Sequence, residues 1–488
     1  MRVAEIIEGM AVQSSSGADP EVTGITCNSR QVKPGDLFVA LTGQRFDGRV
    51  FVPGAIERGA VAILAAGGPP PEFEGLWLTA AEPRWLMGPI AARVYDHPER
   101  DLLITGVTGT NGKSTLVHLM EAILNAAGIP SGCMGTLGYR FEDQIYPGER
   151  TTPESADLYR TFRKMRDAGA EAVCMEVSSH GLEQGRVEGL RFDLAIFTNL
   201  SRDHFDFHNG FEDYFAAKRK LFERLKPDGW AAINLDDPYG SRMAAGLSQV
   251  VTYGKQGDVR VLEAELDSEG IRADLATPRG PLSIQSPLLG SYNLENLLAA
   301  VAGSEALGLP AEAVVRGLAG RSPLSGRMEP IECGQPFPVL LDYAHTDAAL
   351  EAALRSLKDF SRRKILLVFG CGGDRDTGKR LLMGRVAGRL ADFSIITSDN
   401  PRREDPLAII ASIEEGIKDS GASEYRILPD RREAIRKAVG QADSDWAILL
   451  AGKGHEEVQI LGDQELPFSD RQEMRRALEE RFGSGKTG

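Results

Sequence analysis

LLITGVTGTNGKS, residues 102–114, is the stretch of sequence that decides the fold. Its apolar first half, residues 102–107, leads into a turn that contains Gly109 and Gly112. After the turn, apolar side chains recur three and four residues apart, as they do along one face of a helix. These side chains are Leu116, Leu119, Met120, Ile123, Leu124 and Ala127. The stretch therefore predicts a strand, a glycine-rich turn and the N-terminus of a helix.

The predicted turn has the chemistry of a phosphate-binding loop. Backbone N–H groups in such a turn point inward, and the helix dipole adds partial positive charge. Lys113 would supply a full charge to the β- and γ-phosphates, and the Ser114 hydroxyl can ligate Mg²⁺. Val107 stands where the common pattern has its first glycine. We therefore expect a nucleoside triphosphate to bind through Thr108, Gly109, Thr110, Asn111, Gly112, Lys113 and Ser114.

Net charge and composition exclude several classes of partner. A net charge of −14 argues against binding to nucleic acid and to anionic membrane surfaces. Five cysteines lack the CxxC spacing of zinc sites. The first ten residues show no signal-peptide pattern, and we find no apolar run of the ~18 residues that span a bilayer. These features predict a cytoplasmic protein that has no membrane partner. We also expect it to act as a monomer.

Alternating strand and helix patterns predict an α/β protein. In the middle of the chain, apolar runs at 172–175, 194–197 and 230–233 follow the phosphate loop, which is typical of a mostly parallel sheet with helices on both faces. Charged residues 96–101 and the stretch 322–327 read as boundaries. We expect a small N-terminal α/β domain over 1–98, a central P-loop-type parallel-sheet ATPase domain over 99–326, and a C-terminal Rossmann-like α/β domain over 327–488.

Three apolar strands in the last third of the chain each run into a polar loop. The predicted strands are 364–369, 393–397 and 446–450. Ligands of open parallel sheets bind outside the carboxyl ends of the strands, so these loops predict a binding site. The first loop, GCGGDR from Gly370, lacks the last glycine of the dinucleotide fingerprint, which argues against a nicotinamide role.

Two loops of the middle region carry candidate metal ligands. One contains Glu176, Ser178 and His180, and the other is TNLSRDHFDFH, residues 198–208. Their oxygen and imidazole groups would follow neighbouring strands beside bound phosphates and suit Mg²⁺. The alternative is that they are ordinary strand-end caps and turns. A helix over 211–225 carries Lys218, which on composition alone reads as a solvated lysine because an ammonium repels a metal.

The loops of the last third combine both signs of charge. Arg375 and Arg402 can each grip a carboxylate with two hydrogen bonds, while Glu456 can balance an ammonium. With Asn400, they suit a zwitterionic amino acid that carries an extra carboxylate. A surface cluster of salt bridges explains the same residues equally well at this stage.

The motifs, taken in order, resemble those of the Mur ligases, which form amide bonds with ATP during peptidoglycan synthesis. The resemblance runs from NSR at 28–30 to GKGHE at 452–456. Between them lie TGTNGKS, EVSSHG, TNLSRDHFDFH, AAK at 216–218, GSYNLEN at 290–296, GRME at 326–329 and DYAHT at 342–346. DNPR at 399–402 is similar to the signature of members that add meso-diaminopimelate rather than lysine.

The resemblance implies a reaction. ATP would activate UDP-N-acetylmuramoyl-L-alanyl-D-glutamate as an acyl phosphate, meso-diaminopimelate would attack it, and ADP and phosphate would be released. Such an enzyme serves cell-wall biogenesis, and through it cell shape and division. The alternatives are the same reaction with L-lysine or another diamino acid, a sister ligase of the D-Ala-D-Ala-adding or folylpolyglutamate type, and a nucleotide switch that ligates nothing.

The resemblance also implies roles for individual residues. Contacts to ATP beyond the phosphate loop would come from Asn296, Arg327, Asp342 and His345. Ligands of Mg²⁺ would be Ser114, Glu176, His204 and a carbamylated Lys218, and Lys113, Lys218 and His204 would take part in catalysis. The UDP-substrate would contact Ser29, Arg30, Thr151, Thr152, Ser178 and Arg186. The amino acid would contact Arg375, Asp399, Asn400, Pro401, Arg402, Gly452 and Glu456.

Two positions depart from the family pattern. Asn28 stands where the family usually has Asp, at the uridine end of the site. Asp347 replaces the proline that usually follows DYAHT.

Overall fold

The computed structural model describes residues 1–43, 47–146, 148, 150–320, 324–421 and 424–483. Ser322 and Pro323 of the predicted second linker lie outside the described residues. Four larger units follow one another along the chain: a five-stranded sheet, an eight-stranded sheet, a three-stranded sheet and a six-stranded sheet. The predicted α/β class with a central and a C-terminal sheet is confirmed. The predicted domain boundaries stay a prediction.

The first sheet has the order β1-β5-β4-β3-β2, in which β2 to β5 are parallel and β1 is antiparallel. Its buried side chains are almost entirely apolar on both faces, as expected for a sheet covered by helices. Its elements are α1 (Val3–Ile7), β1 (Gln13–Ser14), β2 (Gly24–Thr26), β3 (Asp36–Ala40), α2 (Val52–Glu57), β4 (Ala62–Ala65), β5 (Leu76–Thr79) and α3 (Pro83–Val94).

The second sheet contains the phosphate-loop strand β6 at its centre. The strand order is β13-β12-β11-β6-β10-β7-β8-β9, parallel except for β8 and β9 at one edge. Its elements are β6 (Leu103–Thr108), α4 (Lys113–Ala126), β7 (Ser131–Gly135), β8 (Gly138–Phe141), β9 (Gln144–Tyr146), α5 (Ser155–Asp167), β10 (Ala172–Glu176), α6 (Ser179–Glu183), β11 (Phe192–Phe197), α7 (Phe211–Arg219), β12 (Leu225–Asn234), α8 (Gly240–Ala244) and β13 (Val250–Tyr253).

The position of β6 determines where the site lies. Strands β10 and β11 flank β6 on either side, so the loops that follow all three strands emerge at the same edge of the sheet. The phosphate loop, the loop after Glu176 and the loop after Phe197 therefore meet, as the sequence predicted.

The predicted helix over 211–225 is too long. Helix α7 ends at Arg219, a short 3₁₀ turn covers Phe222–Arg224, and Leu225 begins β12. Pro227 disfavours helical backbone at Lys226, and the buried Phe222 anchors the turn that redirects the chain. Lys218 still lies on the helix.

An antiparallel sheet of β14 (Arg260–Asp267), β15 (Gly270–Thr277) and β16 (Gly280–Ser286) follows, and then come α9 (Ser291–Ala306) and α10 (Ala311–Ala319). The sequence analysis missed this sheet. The signal was an alternation of buried Ile271, Ala273 and Leu275 with exposed polar residues, which is the pattern of a half-buried strand.

The last sheet has the order β17-β18-β22-β19-β20-β21, and its three predicted strands are neighbours within it. β17 is antiparallel and the other strands are parallel. Its elements are β17 (Glu329–Pro330), β18 (Val339–Asp342), α11 (Asp347–Phe360), β19 (Lys364–Phe369), α12 (Gly378–Leu390), β20 (Phe393–Ile396), α13 (Pro406–Asp419), β21 (Glu424–Ile427), α14 (Arg431–Gln441), β22 (Trp446–Ala451), the hairpin β23 (Val458–Leu461) and β24 (Gln464–Pro467), and α15 (Asp470–Phe482).

Within the described parts of the chain, no helix combines the length and the apolar character that crossing a membrane requires.

Candidate active site

The phosphate loop adopts the strand–turn–helix geometry that the sequence predicted. Strand β6 ends at Thr108 and α4 begins at Lys113. Gly112 has φ +86°, a conformation that favours glycine. The Lys113 ammonium donates to the carbonyls of Gly109 and Thr110, at 2.9 and 2.8 Å. The departure at Val107 is accommodated because that side chain is buried within the sheet and the turn begins after it.

The loop after β11 is hydrogen-bonded to the phosphate loop. Thr110 donates its backbone N–H to the Asn199 carbonyl, and Asn111 donates its own to the Asn199 side chain, both at 2.9 Å. The Thr198 hydroxyl donates to the Asn111 carbonyl at 2.6 Å. These bonds fix the backbone conformation of the turn.

Ser114 and Glu176 form an oxygen-rich corner beside the loop. The Ser114 hydroxyl donates to Glu176 Oε1 at 2.8 Å, and Arg327 Nη2 donates to the Ser114 hydroxyl at 3.2 Å. A Cβ atom on Gly135 would lie 2.3 Å from Glu176 Oε1, so this glycine makes room for the carboxylate. A hydroxyl and a carboxylate beside bound phosphates are the kind of donors that Mg²⁺ takes.

A buried carboxylate, Asp203, lies between two imidazoles. Its Oδ2 is 3.3 Å from Nε2 of His204 and 3.9 Å from Nε2 of His345. Burial lowers the pKa of His204 to about 3 and of His345 to about 4. Burial acts to raise the pKa of Asp203, but the neighbouring imidazoles and lysines outweigh it and lower that pKa. Both imidazoles are therefore neutral at pH 7, the form that can ligate a metal.

The metal ligand set named from the sequence stays a prediction. Glu176 and Ser114 are in contact, whereas His204 contacts Asp203. Among the described residues, no group of three His, Cys, Asp or Glu side chains is placed to hold a metal ion.

Lys218 is buried, so its interpretation as a solvated lysine is wrong. Its side chain is 1% exposed, and its ammonium donates to the Gly109 carbonyl at 2.7 Å. The same ammonium lies 4.3 Å from the ring centre of Tyr214. Burial, and secondarily the charge of Lys113, hold the pKa of Lys218 well below its usual value. A lysine with such a pKa presents a neutral, nucleophilic amine far more often than a solvated one.

Of the other predicted ATP contacts, Asn296 and Arg327 lie beside the phosphate loop. A Cβ atom on Gly112 would lie 2.4 Å from Asn296 Oδ1, so α9 packs directly on the turn. Asp342 ends β18 and accepts from the backbone N–H of Met328 at 2.7 Å. Arg327 precedes Met328 in the chain. Its guanidinium carbon lies 4.9 Å from the ring centre of Tyr343, and its Nη2 donates to the Ser114 hydroxyl.

A cavity of about 1070 Å³ opens between the first sheet and the central sheet. Ser29 and Arg30, predicted at the uridine end, line it together with Asn28, Arg150 and Glu154. Asn28 Oδ1 accepts from the Arg30 backbone N–H at 3.1 Å, so the uncharged residue at this position caps its own turn.

The four residues predicted to contact the peptide lie between this cavity and the phosphate loop. The Thr152 hydroxyl is 3.1 Å from the Ser178 hydroxyl, and Arg186 donates to the Thr152 carbonyl at 3.0 Å. Thr151 lies 3.0 Å from the Thr136 hydroxyl, which in turn bonds Glu176. A polar path therefore connects the cavity to the oxygen-rich corner.

The charged loops of the last sheet come together as predicted. Arg402 has φ +52° and donates to the Gly373 carbonyl at 2.8 Å. Burial, and then the charge of Arg375, lower its pKa. Asn400 donates to Glu456 Oε2 at 2.8 Å. Arg402 and Glu456 are partly buried, whereas Arg375 is exposed and donates to the Asp374 carbonyl at 3.3 Å.

Gly452, Asp399 and Pro401 complete the predicted pocket. A Cβ atom on Gly452, where φ is +115°, would lie 2.5 Å from Asp399 Oδ2. A Cβ atom on Gly373 would collide with the Pro401 carbonyl. These close approaches explain why glycines interrupt both loops.

Several buried charges of this site were missed from the sequence. Lys453 is fully buried and contacts Asn400 and Glu456. Arg431 and Asp470 form a fully buried pair beneath the same strand ends, joined by bonds of 2.6 and 2.7 Å. Lys453 lies inside the GKGHE motif, so the motif could have indicated that this residue lies near the site. The sequence does not show whether its side chain points into the protein or toward solvent.

One ion pair joins the two halves of the site. Arg202, in the loop after β11, binds Asp376, in the loop after β19, through two hydrogen bonds of 2.9 and 3.1 Å. Gly378 allows this contact, since its Cβ atom would lie 2.2 Å from the guanidinium. The pair therefore connects the loop that contacts the phosphate loop to the loop that contacts Arg402 through Gly373.

Comparison with known proteins gives consistent matches along the chain. Three family models match: the Mur ligase family catalytic domain at residues 21–70, the Mur ligase middle domain at 107–303, and the Mur ligase glutamate ligase domain at 326–454. The chain is 45% identical to the UDP-N-acetylmuramoyl-L-alanyl-D-glutamate–2,6-diaminopimelate ligase of Geobacter metallireducens, with 96% of each chain covered. It is 42% identical to the ligase of the same name from Geobacter sulfurreducens, with 96% of this chain and 97% of the relative covered. A solved structure of a ligase of that name is 33% identical, with a TM-score of 0.65 and coverage of 94% and 95%.

Proposed function

The chain belongs to the Mur ligase family, and we propose that it joins 2,6-diaminopimelate to UDP-N-acetylmuramoyl-L-alanyl-D-glutamate with ATP as the energy source. The relatives that carry this name match 96% of the chain, and the solved structure of that name matches 94%. The product would be the UDP-tripeptide, with ADP and phosphate.

The observation that carries the proposal is the ion pair that connects the loops of the two sites. A phosphate loop alone serves many functions, and a doubly charged pocket alone serves several binders. The Arg202–Asp376 pair connects a loop beside the phosphate loop to a loop beside the charged pocket, which supports a reaction in which an activated carboxyl group and an incoming amine meet between them.

The first step needs a good leaving group, because a carboxylate is a poor acylating agent. The γ-phosphate passes to the D-glutamyl carboxylate, forming an acyl phosphate while the bond to ADP breaks. Lys113 lies at the loop where charge develops on the transferring oxygens and would stabilise it. Arg327, which reaches Ser114 across the cleft, is placed to add a second positive charge.

The second step is attack by the amine and departure of phosphate. Arg402 and Arg375 would hold the distal carboxylate of diaminopimelate, and Glu456 would hold the ammonium at that end. Held in this way, the other amino group would be free to attack the acyl carbon. We also propose that the amino acid is the meso form of diaminopimelate, as distinct from forms with other stereochemistry at the distal carbon.

A magnesium ion would complete the phosphate site, since Mg²⁺ offsets charge on phosphate oxygens. The side chains beside the loop that would hold it are Ser114, Glu176, His204 and Lys218. Carbamylation of Lys218 would convert its neutral amine and CO₂ into an anionic group with release of a proton, which removes the repulsion between a lysine and a metal. The lowered pKa of Lys218 supports this assignment, because only the neutral amine reacts with CO₂.

We further propose that the enzyme is cytoplasmic, because ATP and UDP-linked precursors are its substrates, and that it acts as a monomer. The net charge of −14 agrees with a partner set that excludes nucleic acid and anionic membranes.

Phosphate release tests the proposal. The enzyme is assayed with ATP and UDP-N-acetylmuramoyl-L-alanyl-D-glutamate, together with diaminopimelate, L-lysine or L-ornithine. We expect release that depends on the UDP-dipeptide and is fastest with diaminopimelate. Faster release with L-lysine would establish the alternative amino acid, and hydrolysis independent of both cosubstrates would favour a nucleotide switch.

A further inference from the structure

Lys453 carries a fully buried charge that the reaction described above does not use. Its side chain is 0% exposed. The ammonium donates to Glu456 Oε2 at 2.9 Å and to Asn400 Oδ1 at 3.0 Å. A buried ammonium is costly unless it is paired and hydrogen-bonded, so these two contacts determine where the side chain points.

The amide of Asn400 is oriented by its neighbours. Its Oδ1 accepts from Lys453 and from the Ile460 backbone N–H, both at 3.0 Å, which identifies that atom as the oxygen. Its Nδ2 must therefore face Glu456, to which it donates at 2.8 Å. Two donors, one of them charged, hold Glu456 Oε2, and Oε1, which has no hydrogen-bond partner among the described residues, is the oxygen left to receive a ligand.

The hairpin β23–β24 ties this network to Arg402. Ile460 donates its N–H to Asn400, while its carbonyl accepts from the Arg402 N–H at 3.0 Å. Gly462 donates to the Arg402 carbonyl at 2.7 Å, which supports the left-handed backbone of that residue. One hairpin therefore sets the positions of both the anionic and the cationic groups of the pocket.

The charges of the pocket decide what it can receive. The cations are Arg375, Arg402 and Lys453, and the anions are Asp374, Asp399 and Glu456, so the charges of the pocket balance and an added unpaired charge would disturb that balance. A side chain that ends in an ammonium alone brings more positive charge and leaves both guanidiniums unpaired. A side chain that ends in an ammonium and a carboxylate adds no net charge. Its carboxylate can pair with the guanidiniums and its ammonium with Glu456.

We propose that Lys453 is a positioning and specificity-determining residue, which holds Glu456 through one oxygen and offsets its charge so that the pocket selects amino acids with a distal carboxylate. This inference rests on the proposed function and adds the group that enforces its choice of substrate. Lys453 acts through Glu456 and Asn400 and does not itself touch the amino acid.

A double-mutant cycle tests the inference. The single variants are Lys453→Met, Lys453→Gln and Glu456→Gln, and each Lys453 variant is also combined with Glu456→Gln. Lys453→Met removes both the charge and the hydrogen bonds. Lys453→Gln removes the charge but keeps a hydrogen-bond donor, so it separates the role of the charge from a requirement for folding. For each, kcat/KM is measured with diaminopimelate and with L-lysine, and melting temperature reports folding. The exposed Lys358→Met serves as the control and should leave both values unchanged.

Both substitutions of Lys453 should raise the KM for diaminopimelate more than they lower kcat. They should reduce the preference for diaminopimelate over L-lysine at least about fivefold, since like-charge repulsion is relieved. In the Glu456→Gln background, adding either substitution should change kcat/KM less than about twofold, because the effect runs through Glu456.

Additive effects, or losses in kcat/KM that are equal for the two amino acids, would overturn the inference and reduce Lys453 to a folding role. Failure of the parent enzyme to use diaminopimelate would instead overturn the proposed function. The two failures are therefore distinguishable.

Discussion

Burial changes what a lysine side chain can do at Lys218. On a helix surface it would be a solvated cation, but beneath the phosphate loop it has lost its water and its pKa has fallen. Lys220, two residues further on, remains a partly exposed cation paired with Glu183 at 2.7 Å. Residue identity is the same at both positions, and the environment makes the chemical difference.

The variant Lys218→Ala tests the carbamate. We expect phosphate release to fall by about two orders of magnitude or more, because a metal-bridging anion would be lost. Added short-chain carboxylates should restore part of the activity, since they can occupy the vacated space. Lys220→Ala is the control and should stay near the parent value. Full activity of Lys218→Ala without rescue would remove the carbamate assignment.

Arg402 and Arg403 are adjacent arginines in different environments. Arg402 is held within the pocket, while Arg403 pairs with Asp463 at the surface. Arg402→Ala should lower kcat/KM for diaminopimelate about 30-fold or more, the effect of losing roughly 2–5 kcal/mol of charge-assisted binding. Arg403→Ala should change it less than about twofold, because exposed pairs contribute little. Equal effects would contradict the pocket assignment.

At the scale of elements, loops at the carboxyl ends of parallel strands build the site. Strands β6, β10 and β11 bring one set of loops together, and β19, β20 and β22 bring another. Gly452 shows how tightly such loops pack, because the Asp399 carboxylate occupies the space that a side chain at position 452 would need. Local backbone geometry therefore sets the position of charged groups several residues away.

Gly452→Ala should raise the KM for diaminopimelate and lower the melting temperature. Its φ of +115° disfavours alanine, and the new Cβ would lie 2.5 Å from Asp399 Oδ2. Gly440→Ala is the matched control, since Gly440 lies in α14 with nothing within 4 Å of its Cβ position. That change should leave KM unchanged and stabilise the protein slightly, by about 0.5–1 kcal/mol. Indistinguishable variants would contradict the account of this loop.

At the scale of the whole molecule, the Arg202–Asp376 pair holds together the two loops between which catalysis would occur. Ligases of this kind must close over their substrates and exclude water before the acyl phosphate forms. A two-bond ion pair that joins these loops would stabilise such a closed arrangement.

Breaking this pair with Asp376→Asn should lower kcat about five- to thirtyfold, a loss of roughly 1–2 kcal/mol in the closed state. The KM for ATP should change little, because the phosphate loop is built within the central sheet. The exposed pair between Arg242 and Glu212 offers a control, and Arg242→Ala should be neutral. An unchanged kcat for Asp376→Asn would show that closure does not depend on the pair.

Stability should also depend on pH through His455. Burial, aided by neighbouring cations, lowers its pKa to about 4, below the ~6.5 of the unfolded chain. Between pH 6.5 and 4 the unfolded state binds more protons, so this histidine's contribution is complete above pH 6.5 and is lost as the pH falls. The melting temperature of His455→Gln should therefore fall less between pH 7 and 5 than that of the parent. Parallel curves for the two proteins would contradict this assignment.

Much of the architecture was predictable because it is local in the chain. The turn at Gly109–Ser114 needs only a preceding apolar strand and a following amphipathic helix, and both are written in consecutive residues. Asp399, Asn400 and Arg402 were predictable for the same reason, as polar residues after an apolar strand. The sheet of β14–β16 was missed because its strands are half-exposed and their alternation is interrupted by turns.

By itself, the order of residues determined the phosphate loop, the α/β class and the loops that carry charge, since hydrophobic periodicity and turn chemistry act over a few residues. Only the tertiary structure decided which charges are buried and which partners they meet, as in the contacts of Lys453, the burial of Lys218 and the pairing of Arg202 with Asp376. Those partners are 3, 109 and 174 positions apart. The energies of these contacts depend on desolvation and on the distance between the groups in space. Neither quantity can be read from adjacent residues of the sequence.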